Sequence, residues 1–367
     1  LDSAGLLPAG FGSLFRDVDR ELFVPDRMWV KLGGTYRPVD RATQPDQWLS
    51  YVYSNRSIVT QFDDGGTKWP EVGKRPTSSA SMPSVVAAML AELAIEPGDA
   101  VYEVGTGTGF STALTAVLTG RDGRVTTVEV DHELAASARE RLGNLGYLAT
   151  VRPIVGDGAL GDPDGAPFDK VIVTAGVQLS RVPYAWVEQT SPGGIILAPV
   201  RADLASGPLV RWVVNDDGTA IGRTAPMSVG FMELRAQRSA TTSDEDRVPW
   251  NDRAADFATT HIDASRVLSD PASRWALAVA LPSCRYDIED LPDGKPGDLV
   301  WLRDPLTGSW ASIVPSSRGF VVHQFGPRQL WTEAETAYRW WLAKGKPPVS
   351  AWTWTITPDR QTVTVDG

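Results

Sequence analysis

Val101 to Phe110, VYEVGTGTGF, limits what this chain can fold into more than any other stretch. A short apolar run ends at Glu103, and glycines follow at Gly105, Gly107 and Gly109. Ser111 to Leu118 is then apolar at helical spacing, so the order is strand, tight turn, helix. Glycine lets the backbone turn sharply and approach a ligand, and the helix behind it offers unpaired N–H groups. A dinucleotide site wants G-x-G-x-x-G with an acid about 20 residues further on. Here the pattern is G-x-G-x-G, preceded by Glu103. That acid would repel a pyrophosphate and welcome an ammonium group, which favours S-adenosylmethionine (SAM) over NAD. The plainer reading is an ordinary glycine-rich turn.

The next segments favour the ligand. Arg124 to Val130, RVTTVEV, reads as a second strand with Glu129 near its end. Ile154 to Gly158, IVGDG, puts Asp157 in a turn after a third strand, and Phe168 to Ala175 reads as a fourth. Doubly wound sheets bind ligands outside the carboxyl ends of their strands, where an acid grips a ribose. Glu103, Glu129 and Asp157 are all expected there. Strands alternate with helices to Val200, the pattern of a parallel doubly wound sheet. The fold class expected is therefore α/β, a Rossmann-like sheet, with a smaller C-terminal α+β domain.

Composition removes several classes of function. The net charge of −10 argues against a general nucleic-acid binder. Cys284 is the single cysteine and the three histidines lie far apart, so no disulfide or His/Cys metal site is expected. No apolar run approaches the ~20 residues a membrane span needs, and no signal-peptide pattern opens the chain. A cytoplasmic, soluble, monomeric protein is the expectation.

Along the chain, Leu14, Phe15, Val18 and Leu22 fall at helical spacing before Pro25. Leu49 to Tyr53 and Ser57 to Gln61 look like strands. Asp63 to Gly73 reads as a flexible loop, or as a lid over a peptide. Ser79 or Ser81 is placed to cap a helix with Pro83 in its first turn, and a functional role for these serines stays open. After a hairpin with the turn Asn215 to Gly218, Ala220 to Leu234 reads as a closing strand. A linker is expected from Arg238 to Asp246. The remainder has several short strands and one helix, Leu330 to Leu342, and is rich in tryptophan. It is either a small domain packed on its indoles or a peptide-docking face.

Several of these residues resemble the protein-L-isoaspartate O-methyltransferase family. Phe15 to Pro25, FRDVDRELFVP, looks like its N-terminal helix. Ser81-Met82-Pro83 matches its S-x-P motif, Val101 to Gly109 its glycine strand, Gly156 to Gly158 its adenine-side turn, and Ala166 to Asp169 its entry to the fourth strand. The likeness covers about Phe11 to Leu234. The resemblance implies a SAM-dependent carboxyl O-methyltransferase with Ser81 as catalytic residue. It implies a cofactor site made of Ser79, Glu103, Gly105, Thr106, Gly107, Glu129, Val130, Asp157 and Gly158. Glu103 would sit near the methionine amine, Glu129 on the ribose and Asp157 on the adenine.

Two departures bear on the acceptor. Ser57 to Ser78 carries an insertion, and the chain continues well beyond Leu234, where repair enzymes of the family commonly end. Extended relatives look like the methyltransferases of ribosomal-peptide pathways, which esterify an aspartate of a modified peptide that then closes to an aspartimide. That is the leading expectation, with a macrocyclic precursor peptide as partner and no nucleic acid or membrane. Isoaspartate repair is the alternative, and a non-catalytic SAM-dependent peptide-binding module the second. Lys68, Lys74 and Arg75 in the insertion are expected to attract an acidic peptide. The expected units are 1–80, a helix and substrate loop; 81–238, the methyltransferase; and 239–367, an accessory domain.

Overall fold

A computed structural model describes residues 5–238, 255–291 and 296–365. The N-terminal part holds α1 (Phe11–Asp17) and a four-stranded antiparallel sheet. The strands are β1 (Arg27–Leu32), β2 (Thr35–Asp40), β3 (Ile58–Phe62) and β4 (Pro76–Ala80), in the order β2-β1-β3-β4. Between β2 and β3 runs α2 (Pro45–Val52). Leu49 to Tyr53, expected as a strand, lies largely in this helix. Pro45 pre-sets its first turn, and Trp48 and Val52, four residues apart, are both fully buried against Met28, Val30 and Ile58. Burial of one helical face outweighs the β preference of LSYVY.

The next helix, α3 (Pro83–Leu93), starts at the expected proline. No serine caps it. Ser79 lies in β4, paired with Val59. The helix instead takes its side-chain cap from a distance, because Asn55 Oδ1 accepts from the Ser84 amide at 3.1 Å.

The large sheet begins with β5 (Ala100–Val104), α4 (Phe110–Thr119), β6 (Arg124–Glu129), α5 (His132–Asn144), β7 (Val151–Val155) and β8 (Phe168–Val173). After the short β9 (Val177–Gln178) and α6 (Tyr184–Glu188) come β10 (Thr190–Ala202), β11 (Ala205–Val214) and β12 (Ala220–Ser228). Strands β10, β8, β5, β6 and β7 run parallel; β11 and β12 fold back antiparallel. The expected closing strand stops at Ser228. Val229 to Leu234 continues as irregular chain, joined to the sheet by an isolated bridge between Gly176 and Glu233.

The C-terminal part holds β13 (Asp256–Thr260), α7 (Ala264–Ser269), α8 (Pro271–Ala280), β14 (Arg285–Asp290), β15 (Asp298–Asp304), β16 (Ser309–Ser316), β17 (Gly319–Phe325) and α9 (Leu330–Ala343). Its sheet is ordered β13-β17-β16-β15-β14. Most of the expected linker lies outside the described residues. The last two strands, β18 (Trp352–Ile356) and β19 (Gln361–Val365), do not belong to this sheet. They return to the large one, which reads β19-β18-β12-β11-β10-β8-β5-β6-β7. The expected C-terminal α+β part thus has a sheet of its own, and its last two strands pair with the methyltransferase sheet.

The cause is a row of side chains across three strands. Gly222 pairs with Trp212 on one side and Trp354 on the other. A Cβ at Gly222 would stand 2.6 Å from the Trp212 ring. Its absence lets the two indoles meet edge to face at 6.3 Å, and Trp275 of α8 packs on Trp354 at 5.8 Å. All three are buried. The two parts of the chain thus share one hydrophobic core. Among the described residues no helix is long and apolar enough to cross a membrane.

Candidate active site

The site is built at the carboxyl ends of β5 and β6. Gly105 has φ 94° and its amide donates to Val128 O at 2.8 Å. A Cβ there would stand 2.6 Å from Thr174 Oγ1, which donates to the carbonyls of Val104 and Gly105. Gly107 has φ 54°, and its amide donates to Glu129 Oε2 at 3.0 Å. The other carboxylate oxygen accepts from the Asp131 amide at 3.1 Å. Glu129 is therefore aimed before any ligand arrives. Thr106 is buried, with its hydroxyl on that of Thr127.

These residues line a cavity of about 700 Å³. Ser79, Ser81, Gly105, Thr106, Gly107, Glu129 and Val130 of the expected set all face it. Ser81 stands in the turn from β4 to α3. Its carbonyl accepts from buried Arg20 at 2.8 Å, and the same guanidinium donates to the carbonyls of Val52, Ser54, Arg56 and Ala80. Burial pushes the Arg20 pKa down to about 10. Among the described residues five carbonyls and no carboxylate hold it, which fixes the backbone before Ser81. Among the described residues nothing hydrogen-bonds the Ser81 hydroxyl.

The remaining expected residues lie elsewhere. Glu103 is fully buried and does not line the cavity. On the inner strand β5 its side chain turns under α4, where the hydroxyls of Ser111, Thr112 and Thr127 donate to it. Burial raises its pKa, those three bonds oppose the rise, and Glu129 adds to it. Ser111 does line the cavity and stands between Glu103 and the opening. Asp157 accepts from the Ala159 amide at 2.9 Å and shapes the turn after β7. Gly158 is buried, its carbonyl taken by Tyr102 Oη and Trp186 Nε1; a Cβ would strike Val104 at 2.6 Å. Its glycine serves packing, and neither residue lines the cavity.

The insertion is also tied down. Asp63 accepts from the amides of Lys74 and Arg75 at 3.0 and 2.8 Å and from the Thr67 hydroxyl. Asp64 takes the guanidinium of Arg238 and, at 3.2 Å, that of Arg235. Arg235 also reaches Asp131 at 3.4 Å, and Gln61 donates to the same carboxylate oxygen at 3.0 Å. Lys74 and Arg75 do not face the main cavity, and Lys68 lines a separate, smaller one. Among the described residues the cations that face the main cavity are Lys31, Arg235 and Arg238. Lys31 lies 5.7 Å from the Tyr36 ring centroid. Sequence reading missed all three. Gly33-Gly34 between β1 and β2 was a hairpin signal for Lys31; no local signal marked the two arginines.

Glycines with positive φ at the first strand's exit, a pre-aimed acid at the second strand's end and a large adjoining cavity define a SAM-dependent methyltransferase. Residues 37–239 match the family model described as protein-L-isoaspartate(D-aspartate) O-methyltransferase (PCMT), and the chain belongs to this family. The protein-L-isoaspartate O-methyltransferase of Ignicoccus hospitalis is 42% identical over 163 residues, 44% of this chain and 74% of that one. The Xanthobacter autotrophicus enzyme of the same name is 40% identical over 161 residues, 44% and 70% of the two chains. A solved structure titled protein-L-isoaspartate O-methyltransferase superposes with a TM-score of 0.56 at 18% identity, covering 99% of this chain and 96% of that one. The fold is thus shared through the C-terminal part as well. The chain is a SAM-dependent protein carboxyl O-methyltransferase.

Proposed function

We propose that the protein methylates the free carboxylate of an isoaspartyl or D-aspartyl residue in a peptide or protein. The observation that carries this reading is the Ser81 hydroxyl, unpartnered among the described residues, in the same cavity as Glu129. The cofactor supplies a methyl group on a sulfonium. The cavity's volume and its polar groups suit that group: Glu129 would accept from the ribose hydroxyls, and the turn from Gly105 to Gly107 would bring backbone close to the methionine end. Glu103 acts at one remove, through the Ser111 hydroxyl that it holds.

No histidine lines this cavity, and the reaction needs none. An acceptor carboxylate is already ionised at neutral pH, so no proton must be removed before attack. What the protein supplies is alignment, which can lower a barrier by several kcal/mol, up to ~7–11 in favourable cases. Ser81 donates to one carboxylate oxygen and leaves the other free to attack. Arg20 keeps Ser81 in place. The methyl ester is then a good electrophile, and the next residue's backbone nitrogen closes a five-membered ring with loss of methanol.

The C-terminal extension is the ground for expecting a modified, macrocyclic acceptor. It does not discriminate, because a structure bearing the isoaspartate enzyme's title covers the same length. The repair reading is therefore preferred, and the macrocyclic peptide is the competitor in one assay. Labelled SAM is offered with matched peptides bearing isoaspartate, ordinary aspartate, or aspartate within a side-chain-linked macrocycle. Preferential labelling of the isoaspartyl peptide supports the proposal. Labelling of the macrocycle alone, followed by a net loss of water by mass, replaces it with aspartimide maturation. Binding of SAM without label transfer to any peptide leaves the non-catalytic module.

A further inference from the structure

Behind the glycine turn lies a second cavity of about 260 Å³. Trp29 of β1, Lys68 and Trp69 of the insertion, and Glu133, Ser137 and Arg141 of α5 contribute to its walls. The three α5 residues are four apart and share one face. Gly107 and Thr108 line both this cavity and the main one.

Three donors here lack acceptors. Arg141 is half-buried, and among the described residues no carboxylate or carbonyl takes its guanidinium. Glu140 and Asp26 act on it through space without reaching ion-pair distance, while burial lowers its pKa. Lys68 makes no ion pair among the described residues. Trp69 Nε1 is buried with no partner, whereas Trp29 Nε1 is satisfied by Glu71 O at 3.0 Å. Buried polar groups in folded proteins nearly always have partners, so the unmet Trp69 N–H and the half-buried Arg141 guanidinium, with exposed Lys68 in the same wall, point to a missing acceptor. The α5 terminus does not supply the attraction, since Asp131 already caps it.

We propose that this cavity is a second binding site, for a carboxylate group. Arg141 and Lys68 hold its charge, the Trp69 indole N–H donates to it, and the two indoles cover its carbon body. A guanidinium fork matches the two oxygens of a carboxylate. Among the lining residues two cations face one acid, Glu133, with Glu140 and Asp26 further off, which suits a monoanion better than a phosphate dianion. The carboxylate comes either from a free small molecule or from an acidic side chain of the acceptor polypeptide. Because Gly107 holds Glu129 on its other side, occupancy here and SAM affinity are reciprocally linked. Binding here is independent of the acceptor chemistry proposed above; only the assignment of its source by methylation rests on that reading.

The probe is benzoate, titrated calorimetrically into the full chain, with benzamide as its neutral counterpart. Saturable 1:1 binding of benzoate, absent for benzamide and at least about tenfold weaker in Arg141→Gln and Lys68→Gln, is expected. Arg141→Lys, which keeps the charge and loses the fork, should weaken binding by less than Arg141→Gln does. If Arg141→Gln fails to fold, Lys68→Gln, on an exposed loop residue, carries the test. No saturable heat, equal binding of benzamide, or equal binding by both glutamine variants overturns the proposal. Methylation of paired acceptor peptides with and without a glutamate then separates the sources. A KM that rises with benzoate for the glutamate peptide alone assigns the site to the acceptor. A SAM affinity that shifts with benzoate while both KM values stay constant assigns it to a free carboxylate. A response in neither reduces the binding to an incidental one and overturns the proposal.

Discussion

At the scale of single residues, three acids expected in one place have three different fates. Glu129 faces the cavity with both oxygens steered by amides. Charge-assisted hydrogen bonds contribute about 1.5–3 kcal/mol each, so Glu129→Ala should weaken SAM binding at least about tenfold by calorimetry. Unchanged affinity would remove Glu129 from the cofactor site. Ser81→Ala should bind SAM normally and transfer methyl more slowly, because aligning the acceptor matters in the transition state. Single-turnover rates equal to wild type would leave Ser81 as a turn residue only. Glu103 carries a pKa raised first by burial. The folded chain then binds that proton more tightly than the unfolded one, so this group's contribution falls as pH rises from the ordinary glutamate range through the raised value. Glu103→Gln should flatten that slope; denaturant midpoints of both proteins across pH 4 to 8 that stay parallel would contradict it.

At the scale of elements, the insertion and the chain after β12 form one device. Asp64 joins Arg235 and Arg238 across the edge of the cavity, and Arg235 reaches on to Asp131 at the head of α5. The hydrogen bond from Arg238 is the largest cause that holds the Asp64 carboxyl below its usual range. Its contribution is therefore present above the ordinary aspartate range and lost as pH falls through the depressed value. Asp64→Asn should free the turn. Faster amide exchange confined to residues 63–67, with β5 and β6 unchanged, is the expected result, and exchange equal to wild type would show that Asp63 alone suffices. Two local expectations failed here for related reasons. The serines before α3 do not cap it because Asn55 does. Tyr51 and Val52 are not strand because α2 buries Trp48 and Val52.

At the scale of the whole molecule, the C-terminal strands complete the large sheet. A chain ending at Arg238 would lose β18 and β19, expose the edge of β12 and strip Trp212 of its indole partner Trp354. It should aggregate or fail to bind SAM; a soluble truncated chain with wild-type affinity would refute this. Trp354→Ala should cost about 3–5 kcal/mol, the usual range for a buried tryptophan, read from chemical denaturation. The alternation of strands and helices from Ala100 to Ala202 and the glycine turn were legible in the sequence, because hydrophobic periodicity and positive-φ glycines act within a few residues. So was Glu129, which sits at a strand end whose direction the alternation already sets. Other features rest on contacts between residues far apart in the chain. Glu103 is hidden because β5 lies inside the sheet, between β6 and β8, under α4. Asp157 and Gly158 are spent on a turn closed by Trp186. Arg235 and Arg238 reach the cavity because the chain after β12 runs back beside Asp64. The last two strands leave their own sheet because Gly222 makes room for Trp354 against Trp212. Those outcomes depend on which surfaces are buried together, and burial is a property of the packed molecule rather than of any short stretch.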